Sequence, residues 1–588
     1  MIDLAREIEQ KKARRRTRLL SVVVGLWAAG ILGRLVQIQA IQHAEHRRQV
    51  TGQSRRLVPI PTERGTIFDR NGHILAHSVP SFSVVYRPSP DAPIEAKMAP
   101  VLEVAPVLGL GPKSLAQMRR QLEDGGKFVY LRRKVDPETA RIVRDMNVRG
   151  LRIEDERRRT YPQGPLAAHV LGGVDPDEKG LAGIEFRYNK DLGGREGQRL
   201  VLRDARRREY NVEILSAPKP GLDIVLTLDR MIQYFAQREL ERAMAEHQAE
   251  WGTVIVSAPA TGEILAMASA PGYDPNAFAA AEPERRIDRS IRHLFDPGST
   301  FKIVTAAAVL DHGLIAPGET LNCAAEAITV PGRSIRDHKP FGVLAFADVI
   351  VHSSNIGTIQ AARRLGPDLL YRTIRDFGFG ERTGIDLPAE AAGLVRPPDE
   401  WSRRSPDALS VGYEISVTAV QLLQAMNIIA NRGEKVGLRL LKSVGGRPAN
   451  PEPDGPDSRV VSPAAAEKLA EILVRAVEEG TGTGARLPGF RVAGKTGTSQ
   501  LLDSRQGGYT SSRHLAAFVG FVPADRPAIS ILVVLSEPKN KNVYYGGLVA
   551  APVFREIARN VLRYLGLHPQ AGPPPGAITA RSVLEARR

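Results

Sequence analysis

The chain has 588 residues, 43% of them hydrophobic, which is enough for two or three domains with sizeable cores. Its single cysteine, Cys323, excludes an intramolecular disulfide, and its twelve histidines show no H-E-x-x-H or paired ligand spacing, so neither a metal nor a cofactor is expected. The formal charge of +16 is spread along the chain with no recognised nucleic-acid module, so anionic polymers or lipid headgroups are the expected partners of its surface and nucleic acid is not.

In chain order, Lys11, Lys12, Arg14, Arg15, Arg16 and Arg18 come first, followed by an apolar run over 19–33. As a helix, that run rises only about 23 Å, short of a hydrocarbon core of about 30 Å. Arg34 interrupts the run and L-V-Q-I-Q-A-I resumes it. With Arg34 snorkelling to the outer interface, a span over 19–41 is long enough. The basic flank assigns residues 1–18 to the cytoplasm and the chain beyond the anchor to the outside. A cleaved signal peptide is the competing reading, but no A-x-A-like site follows cleanly.

Residues 53–220 are mixed in character and read as a pedestal. They contain R-G-T-I-F-D-R-N-G from Arg64, R-T-Y-P-Q-G from Arg159 and G-L-A-G-I-E-F-R-Y from Gly180, none with a nucleophile and base in company. The clusters Arg157-Arg158-Arg159 and Arg206-Arg207-Arg208 read as solvated faces. Pro218-Lys219-Pro220-Gly221 marks a boundary, and a second domain is expected over 221–566. An amphipathic helix is expected over 230–246, with Ile232, Phe235, Leu240 and Ala243 near one stripe. T-V-I-V-S and E-I-L-A-M-A-S flank P-A-T-G as a β-hairpin.

Three strings then carry chemistry. Ser299-Thr300-Phe301-Lys302 follows Pro297-Gly298 and runs into the Ala-rich I-V-T-A-A-A-V-L, a buried helix whose first turn puts Ser299 and Lys302 on one face. Ser353-Ser354-Asn355 comes second and Lys495-Thr496-Gly497-Thr498 third. Together they form the S-x-x-K, S-x-N, K-T-G set of a serine enzyme whose base is a lysine. Ser299 is the expected nucleophile. Lys302 can take its proton only when its amine is neutral, and burial and a nearby Lys495 would each lower its pKa. Ser353 can relay a proton between the lysines, and the Asn355 amide can hold Lys302 or a substrate carbonyl. V-A-G-K-T-G-T-S suits an edge strand, with backbone N–H groups of Ser299 and Thr498 as the oxyanion hole. Lys495, Thr496 and Thr498, with Gly497 between them, suit a substrate carboxylate. His352, beside Ser353, invites a triad reading, but with no partner evident it reads as packing.

Two decoys need an answer. Residues 489–496 also satisfy the phosphate-loop pattern GxxxxGKT, which requires a buried strand before it and a helix after it. T-G-A-R-L-P precedes the pattern and a loop-like G-T-S-Q-L-L-D-S-R-Q-G-G-Y-T follows it, which argues against an NTPase. Ser536-Glu537-Pro538-Lys539 repeats S-x-x-K, but Pro538 blocks a regular helical turn. L-A-A-F-V-G-F-V and I-S-I-L-V-V-L-S read as further strands, and the tail from residue 571, within a segment 567–588, as disordered.

With these motifs and Y-Y-G-G-L-V-A-A-P-V-F from Tyr544, residues 64–565 resemble a class B penicillin-binding protein, with the septal cell-division transpeptidases as the nearest type. The resemblance implies an α+β architecture: a single transmembrane helix, a mixed α/β pedestal, and a transpeptidase domain with an antiparallel sheet between helix clusters. It implies cleavage of the D-Ala-D-Ala end of peptidoglycan stem peptides through a Ser299 acyl-enzyme, which β-lactams would trap. It also implies work beside a polytopic membrane glycosyltransferase and other division proteins. The same chemistry fits an elongation enzyme. A β-lactamase, a β-lactam sensor and a non-catalytic scaffold fit less well: no deacylating glutamate can be assigned, about 18 residues lie inside, and every motif residue is present.

Overall fold

The computed structural model describes residues 2–41, 55–203, 209–330, 333–449, 458–503, 508–539 and 544–569. The Arg206-Arg207-Arg208 cluster and the tail from residue 571 lie outside the described residues. The chain divides into two compact units, Met1–Glu63 with Gly194–Pro220, and Arg64–Gly193 with Gly221–Arg588.

In the first unit, helix α1 (Ile2–Val36) runs on into a π-turn over Gln37–Ile41. Over Arg14–Ala40 the most apolar 18-residue window has a mean hydropathy of 2.0, and none of that window is buried. Leu19, Leu26 and Trp27 are each about two-thirds exposed, so among the described residues the apolar surface of the helix is open. This fits a single-pass membrane anchor. Arg34 donates to Gln37 at 2.8 Å near the C-terminal end of the helix. The unit also holds a three-stranded antiparallel sheet of Arg55–Ile60, Gly197–Arg203 and Glu209–Ser216.

The second unit contains two large sheets. In the first, β1 (Ile67–Phe68), β2 (Ile74–Tyr86), β3 (Val129–Val135) and β4 (Leu151–Thr160) come from the pedestal sequence, and α2 (Ile94–Leu108) packs on them through Met98, Val101, Val104 and Leu108. The strand beyond the Pro-Gly boundary, β5 (Ile224–Leu226), pairs in parallel with β1 and antiparallel with Leu441–Val444. One sheet therefore runs through both parts of the sequence, and Ile67, Leu75 and Ile184 share a core with Ile224, Leu226, Ile303 and Leu422.

The three pedestal strings meet in one buried ionic knot. Glu185, fully buried, accepts from Arg64 at 2.6 Å and 2.8 Å and from Arg159 at 2.6 Å, and Tyr161 donates to it at 3.3 Å. Arg159 also donates to the Gly65 carbonyl at 2.8 Å. The reading of Arg157-Arg158-Arg159 as a solvated face is therefore corrected for Arg159, which is only 5% exposed. A buried guanidinium needs a counter-charge, and Glu185 supplies one to both arginines. In the same string as Arg64, Asp69 accepts the backbone N–H groups of Asn71, His73 and Arg230, and the Asn71 amide donates to Asp229.

The second sheet comprises β6 (Trp251–Ala258), β7 (Glu263–Ala270), β8 (Ala493–Asp503), β9 (Gly508–Val522) and β10 (Ile529–Ser536). It is antiparallel, in the order β7-β6-β10-β9-β8. Central β10 is buried at every position, which explains its unbroken apolar run. Of the helices around the sheet, α3 (Arg230–His247), α7 (Ala419–Ala430), α8 (Pro463–Glu478) and α9 (Gly546–Tyr564) pack against it, and α4 (Lys302–Asp311), α5 (Phe346–Val351) and α6 (Asn355–Arg363) pack among the other helices. Asp229 caps α3 by accepting from Met231 and Ile232, and Thr418 with Gln421 closes a capping box on α7. Residues of α3 and α9 join Val254, Val256 and Val533 in one core, while α4, α7 and most of α8 join Ile255, Leu532 and Val534 in the other. The sheet lies between helix clusters, as expected.

A second local expectation is overturned. The segment after Lys495 is not a loop, because β8 continues to Asp503 and pairs with β9 as far out as Gly508.

Candidate active site

Ser299 lies in a 3-10 turn, Gly298–Phe301, that leads directly into α4. Gly298 has φ +53°, a left-handed conformation suited to glycine, and its N–H donates to the Gly412 carbonyl at 3.0 Å. Phe301 and Thr300 are fully buried, which seats the turn, while Ser299 stays partly accessible. Edge strand β8 lies across this turn. A Cβ on Gly497 would come within 2.7 Å of the Thr300 methyl and 3.2 Å of the Pro297 carbonyl, so the approach needs a glycine.

Lys302 and Lys495 are both fully buried, and both reach Ser353. Lys302 Nζ donates to the Ser353 carbonyl at 2.6 Å and to its hydroxyl at 3.2 Å, and Lys495 Nζ donates to the same hydroxyl at 2.9 Å. Ser353 sits between α5 and α6 with φ +60°. This left-handed conformation is uncommon for a residue with a Cβ and costs on the order of 1 kcal/mol. It turns the Ser353 carbonyl and hydroxyl together toward Lys302. Burial first, and then the Lys495 ammonium, push the Lys302 amine well below the ordinary lysine range, while the Asp337 carboxylate opposes them. Burial lowers Lys495 to about 7. Both shifts favour the neutral amine, the form in which a lysine can accept a proton.

The other expected residues are close by, with two differences. The Asn355 amide does not hold Lys302; it donates to the Arg336 carbonyl at 2.6 Å. The Thr496 hydroxyl is already engaged with Thr481 at 2.7 Å, and Thr498 accepts the Gly546 N–H at 3.1 Å. His352 stacks on Phe341 at 6.0 Å between ring centres, which is packing. Cys323 is buried under Gly357.

Sequence reasoning missed Asp337, Thr481 and the fit of Gly546. Asp337 accepts from Ser354 Oγ at 2.7 Å and from the N–H groups of Asn355 and Ile356. A Cβ on Gly546 would lie 2.3 Å from the Ala517 carbonyl and 2.4 Å from the Gly497 carbonyl. The Y-Y-G-G string gave a signal for Gly546; a lone Asp and a lone Thr gave none.

The decoys separate on the same geometry. Lys495 and Thr496 sit inside a strand and no helix follows them, so this is not a phosphate loop. Ser536 is the fully buried end of β10.

Residues 252–559 match the family described as penicillin binding protein transpeptidase domain, and residues 59–226 match the penicillin-binding protein dimerisation domain. The chain is 33% identical to the probable peptidoglycan D,D-transpeptidase PenA of Neisseria meningitidis, over 94% of this chain and 93% of that one. It is 30% identical to the peptidoglycan D,D-transpeptidase FtsI of Escherichia coli, over 95% of this chain and 93% of that one. Among solved structures it is similar to penicillin binding protein 3 of Mycobacterium tuberculosis complexed with aztreonam, with a TM-score of 0.66 and 30% identity over 88% of this chain and 99% of that one. A dimerisation domain ahead of a transpeptidase domain, with relatives this similar along almost the whole length, shows that the chain belongs to the class B penicillin-binding proteins.

Proposed function

We propose that this transpeptidase cross-links peptidoglycan stem peptides during septal wall synthesis, with Ser299 as its nucleophile. The observation that carries the catalytic reading is the convergence of two buried lysine amines on the Ser353 hydroxyl, with Lys302 one helical turn from Ser299.

Ser299 Oγ attacks the carbonyl of the penultimate D-Ala, and its proton passes to the neutral Lys302 amine. Backbone N–H groups of Ser299 and Thr498 receive the oxyanion. As the D-Ala–D-Ala C–N bond breaks, the leaving amine takes a proton delivered through Ser353 from the lysine pair, and D-Ala departs. An amine of a neighbouring stem then attacks the Ser299 ester. Lys302 takes the proton of that amine and hands it to Ser299 Oγ as the ester C–O bond breaks, which restores the neutral Lys302 amine and the Ser299 hydroxyl. Lys495, Thr496 and Thr498, on a strand kept close by Gly497, receive the terminal carboxylate of the donor, and Asn355 faces the substrate backbone. A β-lactam, which resembles D-Ala-D-Ala, acylates Ser299 in the same way. The aztreonam complex of the mycobacterial protein supports this reading.

The domain reading is a cytoplasmic tail over 1–18, an anchor over 19–41, a pedestal over 53–220, a transpeptidase domain over 221–566 and a tail over 567–588. The apolar helix Arg14–Ala40 supports the anchor. The catalytic part then lies outside the inner membrane, where the anchor and pedestal meet a polytopic membrane glycosyltransferase and other division proteins. The septal assignment rests on A-A-F-V-G-F-V-P-A-D-R-P, S-E-P-K and Y-Y-G-G-L-V-A-A-P-V-F. A fluorescent fusion should gather at mid-cell, and depletion should give undivided filaments. Rounded cells with the fusion along the side wall would assign the protein to elongation. For the chemistry, fluorescent penicillin should label the protein durably and Ser299→Ala should abolish the labelling; rapid release of the label would indicate a β-lactamase.

A further inference from the structure

Asp337 belongs to none of the three strings, yet it is bonded to the turn that carries one of them. Its carboxylate accepts the Ser354 hydroxyl at 2.7 Å and the N–H groups of Asn355 and Ile356, the latter at 3.2 Å. The preceding residue, Arg336, accepts the Asn355 amide. Ser354 in turn accepts the Gly357 N–H at 3.0 Å as the cap of α6. Asp337 and Arg336 thus grip the start of α6 from outside, immediately after the left-handed Ser353. Ser353 can keep its carbonyl and hydroxyl on Lys302 only while residues 354–356 stay where they are.

The charges around Lys302 give the carboxylate a second effect. From β8 the amine faces Lys495, from the α5–α6 turn it faces Ser353, and from the segment after Ile335 it faces Asp337. Asp337 is the acidic group acting on Lys302, against Lys495. His338 is within electrostatic reach of Lys302, Asp337, Lys339 and His352, and burial holds its imidazole below the ordinary range, so it does not supply a fixed counter-charge. Cys323, also within electrostatic reach of Asp337, has a thiol raised by burial.

We infer that Asp337 is a positioning residue of the acylation step, pinning the turn that presents Ser353 to Lys302 and supplying the negative charge that keeps Lys302 a usable base. The inference rests on the lysine-base reading above. Removing the charge while keeping the shape loosens the grip, because an amide NH2 cannot accept from Ser354. It also leaves Lys302 facing Lys495 without opposition, so its amine stays neutral to lower pH while becoming a weaker base.

The test is the rate of acylation by a chromogenic cephalosporin across pH 5–9, using full-length protein in detergent micelles, for wild type, Asp337→Asn and Asp337→Glu, with thermal unfolding measured in parallel. Asp337→Asn should slow the plateau rate about tenfold, equivalent to roughly 1.4 kcal/mol, and move the acid limb to lower pH. Asp337→Glu should return the limb toward its wild-type position. An unmoved limb in Asp337→Asn, whether its plateau falls or not, overturns the inference, since a merely structural residue changes the rate and not the limb. Failure of the wild type to be acylated at Ser299 would instead overturn the lysine-base reading itself.

Discussion

Lys302 and Lys495 have similar surroundings but different tasks, and substitutions should separate them. Lys302→Arg should slow acylation at least about a hundredfold, nearly as much as Lys302→Ala, because a guanidinium stays protonated and cannot serve as a base. Lys495→Arg should be milder if that residue mainly presents positive charge to a carboxylate. Stopped-flow acylation of the variants checks both, and equal rates for wild type and Lys302→Arg would refute the base role. Lys495 should also cost stability. Its pKa falls from an ordinary 10.5 to about 7 on folding. The unfolded chain therefore binds the extra proton more tightly, so stability rises with pH between about 7 and 10.5, and the penalty is fully present below about 7. The gross penalty is on the order of 5 kcal/mol, offset in part by its hydrogen bonds to Ser353 and the Thr496 carbonyl. Lys495→Met should therefore unfold at a temperature no lower than wild type at pH 6 while losing acylation, and its melting temperature should depend less on pH between 7 and 10. A large drop in melting temperature at pH 6 would show that the buried ammonium is stabilising.

At the scale of elements, the active site depends on how closely β8 lies against the Ser299 turn on one side and the start of α9 on the other. Gly546→Ala would put a Cβ against two backbone carbonyls, Ala517 and Gly497, which have little room to yield. It should cost about 1–3 kcal/mol by overpacking and lower the acylation rate by displacing Gly497, although residue 546 touches no catalytic amine. Unchanged acylation in a folded Gly546→Ala would show that β8 does not depend on α9. Elements with a strong local signal were legible in sequence. The amphipathic stripe from Ile232 marked α3, the apolar runs around P-A-T-G marked β6 and β7, and the glycines of V-A-G-K-T-G-T-S marked an edge strand. The outer half of the β8–β9 hairpin was not legible, because S-Q-L-L-D and G-Y-T-S-S-R lack the alternation that burial of one face imposes. Asp337 was invisible because its partners, Ser354 to Ile356, are brought to it only by the tertiary fold.

Across the whole molecule, the parallel pairing of β5 with β1 joins sequence on both sides of the Pro-Gly boundary, and the knot at Glu185 ties together three strings of the pedestal. Its charges were misread in sequence because a run of arginines looks solvated until the carboxylate that neutralises one of them is found, here in another string. Glu185→Gln would leave Arg64 and Arg159 buried without their counter-charge, a loss of roughly 3–5 kcal/mol. Thermal unfolding of the full-length protein should show a marked drop, and an unchanged midpoint would mean that the knot is solvated or dispensable. The central claim is that Ser299, served by the lysine pair, is the acylated nucleophile. Peptide mass spectrometry of the full-length protein after β-lactam exposure tests it most directly. A single adduct on the peptide that contains Ser299, absent from Ser299→Ala, is the result expected; an adduct on Ser536 or any other residue, or none at all, would contradict it.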